Sequence, residues 1–416
     1  MNTSTPGSTV ATDLLDERLQ ARQGFSGWIQ TWVDRAKGGE LGVIPVVIGL
    51  VIIWTTFQIL NPIFLSSANL VNLTLECAAV GVISLGVVFM LLVGEIDLSV
   101  GSVSGLAAAT VATLFVLKGW PSLIAVLAAV ALGAVVGLIY SVMFNRFGVP
   151  SFVSTLAGLL AFLGVQLWIL GAQGSVNLPF DSGLVRFAQL AFLPAWLSYA
   201  LVIVAAVGLY ASGAGQAKAR RAAGLSAAST QGLMARSVAL LIGLGVVVWY
   251  LNRTRGVGWM FVFFLALVLA SHYMLTRTKW GRSVYAVGGN VEAARRSGIK
   301  VKGVYRWMFV LCSSLAATGG VLAAARLAAA NQSSGTGDVN LNAIAAAVIG
   351  GTSLFGGRGS AFSALLGIVV IQSISSGLTL LNLSSSFRFI VTGLVLLSAV
   401  ALDSVSRRSR ASHGRG

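Results

Sequence analysis

Only 10% of the 416 residues are charged, against roughly a quarter in an ordinary soluble domain. That shortage excludes a soluble enzyme and a disordered chain. Cysteine is nearly missing: Cys77 and Cys312 both lie in apolar stretches, which excludes a secreted disulfide scaffold and a cysteine metal site. Histidine is confined to His272 and His413, too few for a histidine metal cluster. No GxSxG elbow, HExxH helix or phosphate-cradling loop ending in Lys-Ser/Thr occurs. Glu95 and Asp97 are two residues apart, a spacing that sends them to different faces of a helix, so they do not form an intramembrane protease pair. No catalytic residue, no metal and no cofactor is expected.

Apolar residues, by contrast, make up 56% of the chain, enough for about twelve spans of about 20 residues each. Apolar runs between punctuation fall at 42–60, 76–94, 98–117, 121–144, 152–171, 190–211, 235–251, 256–275, 307–329, 343–355, 360–381 and 387–403. The reading is an all-α, polytopic transmembrane helical bundle of about twelve spans, of which 343–355 is short or broken. Residues 42–405 form the membrane domain, flanked by a tail at 1–41 and a second at 406–416. The first tail has no apolar core or small-residue cleavage site, so it is not a secretory signal. Its 14–32 stretch, with Phe25, Trp28 and Trp32, reads as an interfacial helix or as a solvated tail.

The net charge of +16 resembles a nucleic-acid signature until it is placed along the chain. The basic residues sit in a few loops, so they orient the protein in lipid and imply no nucleic-acid partner. With the N-terminus inside, Lys and Arg divide twenty-two inside against six outside, which predicts both termini cytoplasmic. Gly101/Gly105 and Gly133/Gly137 are spaced for close helix packing. A bundle this dense favours a transporter, channel or intramembrane enzyme over an anchor.

Four segments carry the candidate chemistry. In VGEIDLSVGS (93–102), Asp97 and Ser99 either cap the following span or, with Glu95, belong to a pathway or gate. In the basic inner loop 276–306, Asn290 to Ser297 reads as a short helix. Asn290 caps it, Glu292 lies at its positive end, Arg295 and Arg296 lie at its negative end, and Gly298 stops it. Such a piece is either a membrane-surface helix on anionic lipid or a docking helix for a cytoplasmic partner. In NQSSGTGDVNLN (331–342), Asn331, Gln332, Asp338 and Asn340 form a solvated outer loop or a contact for an outside sugar-carrying protein, with Asn342 capping the next helix. Gly350, Gly351, Thr352 and Ser353 open a glycine-rich stretch that is either an inner turn or a broken helix lining a path.

Three ordered motifs, EIDLSVGS (95–102), YAVGGNVEAARRSGI (285–299) and NAIAAAVIGGTSLFGGRGS (342–360), resemble the membrane permease of bacterial sugar ABC importers. This is the ribose, xylose, arabinose and galactose group, and the likeness covers about 43–405. The extra stretch 212–260, including LNRTRGVGW (251–259), and the Gly94-Glu95 pair are similar to the xylose-type branch. Asn342 stands where the common pattern has Asp, which puts a role for an acid there in doubt. The resemblance implies a bacterial inner-membrane homodimer working with a cytoplasmic ABC ATPase, which alone uses ATP, and an extracytoplasmic sugar-binding protein. It also implies that 290–298, including Ala293 and Ala294, is a coupling helix. The function expected is import of a pentose, xylose first, by alternating access. A stand-alone ion-coupled symporter or channel is the alternative, with Glu95 and Asp97 as its titratable groups.

Overall fold

The computed structural model describes residues 44–336, 338–384, 386–387, 389–395, 397–398 and 401. The reading of 14–32 as an interfacial helix lies outside these residues, as does the basic C-terminal tail. In chain order the helices are α1 (Ile44–Leu60), α2 (Ser67–Leu92), α3 (Val100–Ala112), α4 (Ser122–Phe147), α5 (Ser151–Leu170), α6 (Ala195–Ala222), α7 (Thr230–Leu251) and α8 (Trp259–Arg277). They continue with α9 (Lys279–Gly289), α10 (Val291–Arg296), α11 (Val301–Leu327), α12 (Asp338–Ile349) and α13 (Phe362–Leu380). Residues 389–395 are also helical. Among the described residues, nine helices are long and apolar enough to cross a membrane: α2 to α8, α11 and α13, with α3 extended to Leu117 by a wide turn. The chain is a polytopic helical membrane protein.

The described residues fall into two compact units. One covers Leu193–Gly256 and consists of α6 packed on α7, with Leu233 of α7 against Gly213 of α6. The other holds the remaining helices. Its centre is α2, which packs on α3, α8, α9, α11, α12 and α13, with 89% of its most apolar stretch buried. Outward-facing side chains such as Leu123, Leu127 and Leu160 are apolar and exposed, the surface that hydrocarbon requires.

Close packing rests on missing side chains. A Cβ on Gly133 or Gly137 of α4 would run into α11, at Ala317 and Ser313 and at Phe309 and Val310 respectively. This is the helix-to-helix approach expected of small residues in lipid. The Gly101/Gly105 pair does more. Their missing Cβ atoms make room for non-helical chain, the Gly335 and Ser334 carbonyls, with Asn340 beside Gly101. Gly105 also lies against Gln166 of α5, and Asn340 belongs to α12, so the expected helix-on-helix packing holds there with a loop added.

That loop belongs to a short two-stranded ribbon among the helices. Strands β1 (Ser175–Asn177) and β2 (Ala329–Asn331) pair antiparallel, with Val176 opposite Ala330. The bonds Leu178 N–H to Ala328 O (2.8 Å) and Gln332 N–H to Gly174 O (3.1 Å) extend the ribbon at both ends. It satisfies backbone groups released where α5 and α11 end.

Five of these helices, α2, α4, α6, α7 and α11, are longer than their apolar runs. α2 begins nine residues before the run at 76, and α11 begins six before the run at 307. α12 begins at Asp338, so Asn342 lies one turn inside it, buried, and does not cap it. With twelve residues, α12 rises about 18 Å of the roughly 30 Å of hydrocarbon.

Candidate functional site

The connection between α2 and α3 is tied to four other helices. The Asp97 carboxylate is buried. Its Oδ1 accepts from the Ser99 N–H at 2.8 Å and the Ser99 hydroxyl at 2.7 Å, and its Oδ2 faces the Cys312 thiol of α11 at 3.6 Å. Tyr140 of α4 donates to Ser99 Oγ at 2.8 Å, so a phenol, a hydroxyl and a carboxylate stand in series. Ser151 of α5 donates to Glu95 Oε2, and the Leu98 N–H donates to Thr155 Oγ1 at 3.1 Å. Asn340 of α12 donates to the Leu98 carbonyl at 2.8 Å.

Asp97 and Ser99 were expected as possible caps of α3. In the structure Ser99 makes no side-chain bond to the helix N–H groups, and Asp97 closes a turn on Ser99. Burial raises both carboxyl pKa values above the ordinary range, most strongly opposed by hydrogen bonds from Ser151 at Glu95 and from Ser99 at Asp97.

A second cluster joins the C-terminal end of α2, the C-terminal end of α9 and the irregular segment 350–361. The Gly357 N–H donates to the Leu92 carbonyl at 2.9 Å, and Tyr285 of α9 donates to the Gly359 carbonyl at 2.9 Å. Gly288 sits directly against the Leu92 carbonyl and the Gly357 N–H, leaving no room for a Cβ. Gly350 is packed in the same manner against Ser363, while Gly351 is open. Thr352 is buried, donates its N–H to the Ala347 carbonyl at 3.1 Å, and has a hydroxyl with no partner among the described residues. The Ser353 N–H donates to the Arg358 carbonyl at 3.0 Å.

Immediately after Gly289 the chain enters α10. Asn290 Oδ1 accepts from the Ala293 N–H at 2.9 Å, as its place before the helix predicts. Glu292 lies 2.9 Å from Arg295 and 3.8 Å from Arg296, all three exposed. Ala293 is exposed, while Ala294 is buried and anchors the piece. Gly298 adopts φ +79°, the left-handed stop that glycine permits at least cost. The result is a charged rod fixed to the body at one end by the glycine contacts above.

The 331–336 loop is held from inside. Buried Gln166 of α5 donates to the carbonyls of Asn331 (3.0 Å) and Ser334 (2.9 Å), with that of Gln332 at 3.4 Å. Asn331 turns its own side chain onto Ser333 and Ser334. Gln332 is exposed and Asp338 half-buried. Asn340 donates its side-chain amide to the Leu98 carbonyl.

Residues 69–400 match the family model described as the branched-chain amino acid transport system / permease component. The chain belongs to that family. It is 37% identical to the xylose transport system permease protein XylH of Escherichia coli over 85% of this chain and 88% of that one. It is 32% identical to XylH of Haemophilus influenzae, over 90% and 99% of the two chains. The ribose import permease protein RbsC of Escherichia coli is 32% identical, over 86% and 92%. No solved structure matches the chain. The permease is thus a multi-pass protein of the bacterial inner membrane.

The sequence reading missed one feature of this permease. Glu76 of α2 and Arg326 of α11 form an ion pair at 2.9 Å. Glu76 opens the apolar run at 76–94, and Arg326 lies near the end of the run at 307–329, in the last turn of α11. The available signal was an uncommon one, a lone acid and a lone base each at the margin of a span.

Proposed function

We propose that this chain is the membrane-spanning subunit of an ABC importer for a monosaccharide, with xylose the first candidate. It works by alternating access with a separate cytoplasmic ATPase and an extracytoplasmic sugar-binding protein. The chain crosses the membrane about twelve times, has both termini in the cytoplasm, and pairs with a second copy.

The observation that carries this reading is the seating of α10. It is a preformed, capped and charged helix with little apolar surface of its own, fixed to α2 and to the α12–α13 connection through Gly288. Such a rod suits a groove in a cytoplasmic protein. Asn290, Glu292, Ala293, Arg295, Arg296 and Gly298 form its working surface, with Ala294 as its root. Closure of the ATPase pair moves α10, and the glycine contacts pass that motion to α2, α12 and α13. The Glu95–Asp97–Ser99 turn and Gly350 to Ser353 lie along the moving parts and gate the path. On the far side, Asn331, Gln332 and Asp338 receive the binding protein.

Reconstitution tests the reading directly. Proteoliposomes holding the permease with its ATPase should accumulate xylose only when binding protein and ATP are both supplied. Uptake by the permease alone on an ion gradient would overturn it.

A further inference from the structure

α2 is enclosed by six helices, and every residue from Gly81 to Leu92 is buried. Beyond its first turn, the residues that are not buried are Asn72, Thr74, Glu76 and Val80. Thr74 turns its hydroxyl back onto the Val71 carbonyl at 2.7 Å. Asn72, Glu76 and Val80 follow one another at four-residue steps and so share one face. Glu76 carries the ion pair with Arg326, and about a third of each side chain is open, 32% and 29%.

The neighbours of this face are also polar. Ser376 of α13 donates to Asn69 Oδ1 at 3.2 Å, and Gln372 reaches towards the Glu76 carbonyl at 3.5 Å. Gln189 donates to the Arg326 carbonyl at 2.7 Å. Glu76 lies sixteen residues from Leu92, about 24 Å along the helix from the end of α2 that meets α10.

Charged groups within membrane-spanning helices are costly and face a partner, a cavity or water, not hydrocarbon. A helix walled in by six others has little lipid to face. We infer that the Asn72–Glu76–Val80 face, with Arg326, lines a water-filled groove between α11 and α13 at the end of α2 remote from α10. Its ligand is the transported sugar, an uncharged polyol. The paired carboxylate and guanidinium are neutral together, so the groove does not trap an ion. They still offer acceptors and donors in fixed directions for hydroxyl groups. This inference rests on the importer reading and supplies it with a contact surface for the cargo.

The test is access by a charged methanethiosulfonate reagent to Asn72→Cys and Val80→Cys in native membrane vesicles. Both native cysteines are buried, so the unsubstituted chain serves as the blank. Leu123→Cys, 68% exposed on the outside of the bundle, is the lipid-facing control. Both groove positions should react at least tenfold faster than the control, with or without ATP. Modification should then stop xylose uptake while ATP hydrolysis continues.

No reaction in either nucleotide state, at positions that a lipid-soluble maleimide does label, would overturn the groove. Full uptake by the modified protein would overturn its role as a sugar path. If unmodified vesicles given ATP and binding protein take up no xylose, the importer reading fails instead, and the labelling contrast still decides whether the groove holds water.

Discussion

Gly288 of α9 lies against the Leu92 carbonyl of α2, the same carbonyl that accepts from the Gly357 N–H at 2.9 Å. Three separate stretches of backbone thus meet at one point, three residues before α10. This contact links the segment that enters α10 to α2 and to the α12–α13 connection.

A methyl group is enough to separate them. Gly288→Ala places a Cβ 2.6 Å from the Gly357 nitrogen, on rigid backbone that cannot step aside. Uptake should fall about tenfold or more, while ATP hydrolysis by the assembled transporter persists. Gly289→Ala is the matched control, because nothing lies within 4 Å of a Cβ there, and it should transport nearly as wild type. Equal loss in both variants would mean that helix propensity, not contact, governs the site.

The exposed ion pairs of α10 contribute little to stability; such pairs are worth about 0–1 kcal/mol. Their value lies in the pattern they present to a partner. The double reversal Glu292→Arg/Arg296→Glu keeps opposite charges at i and i+4 but inverts the pattern. It also sets both charges against the helix dipole. ATP hydrolysis should lose its dependence on sugar-loaded binding protein, and uptake should drop by an order of magnitude at unchanged membrane abundance. Normal uptake with sugar-stimulated hydrolysis would remove α10 from the coupling path.

Gln166 ties the 331–336 loop to α5 through two strong bonds to backbone carbonyls. Gln166→Ala leaves those carbonyls without their side-chain donor, a loss of about 1–3 kcal/mol when such groups stay buried. The melting temperature of the purified protein should fall, and exchange of amides in 331–342 should speed up. An unchanged melting temperature would mean that water replaces the amide without cost.

Much of the architecture was legible because each long helix contains an apolar run of about membrane length. What escaped was the part of each helix that faces protein. α2 starts at Ser67, but Asn69, Asn72 and Glu76 hide its first nine residues from a hydropathy reading. α12 starts at Asp338, before its apolar run, for the same reason, its first five residues including Asp338, Asn340 and Asn342. Hydropathy senses transfer into hydrocarbon, whereas these polar groups face other helices and loops. The cap and stop of α10 were readable because they depend on neighbours within a few residues. The Asp97–Cys312 and Glu76–Arg326 contacts join residues more than 200 positions apart, and no local pattern encodes them.

The carboxylates between α2 and α3 make stability depend on pH. Burial raises the pKa of Glu95 above 4.5 and that of Asp97 above 3.8 in the folded protein. The unfolded chain therefore releases these protons first as pH rises, and folding is then linked to holding them. Their stabilising contribution is complete below those ordinary values and is lost as pH climbs through the raised ones. The melting temperature of the purified permease should decline from about pH 4.5 upward on account of these groups. Glu95→Gln removes one of the two titrations while retaining an acceptor for Ser151, so its decline should be shallower. A decline as steep as wild type would mean that Glu95 ionises normally in the folded state.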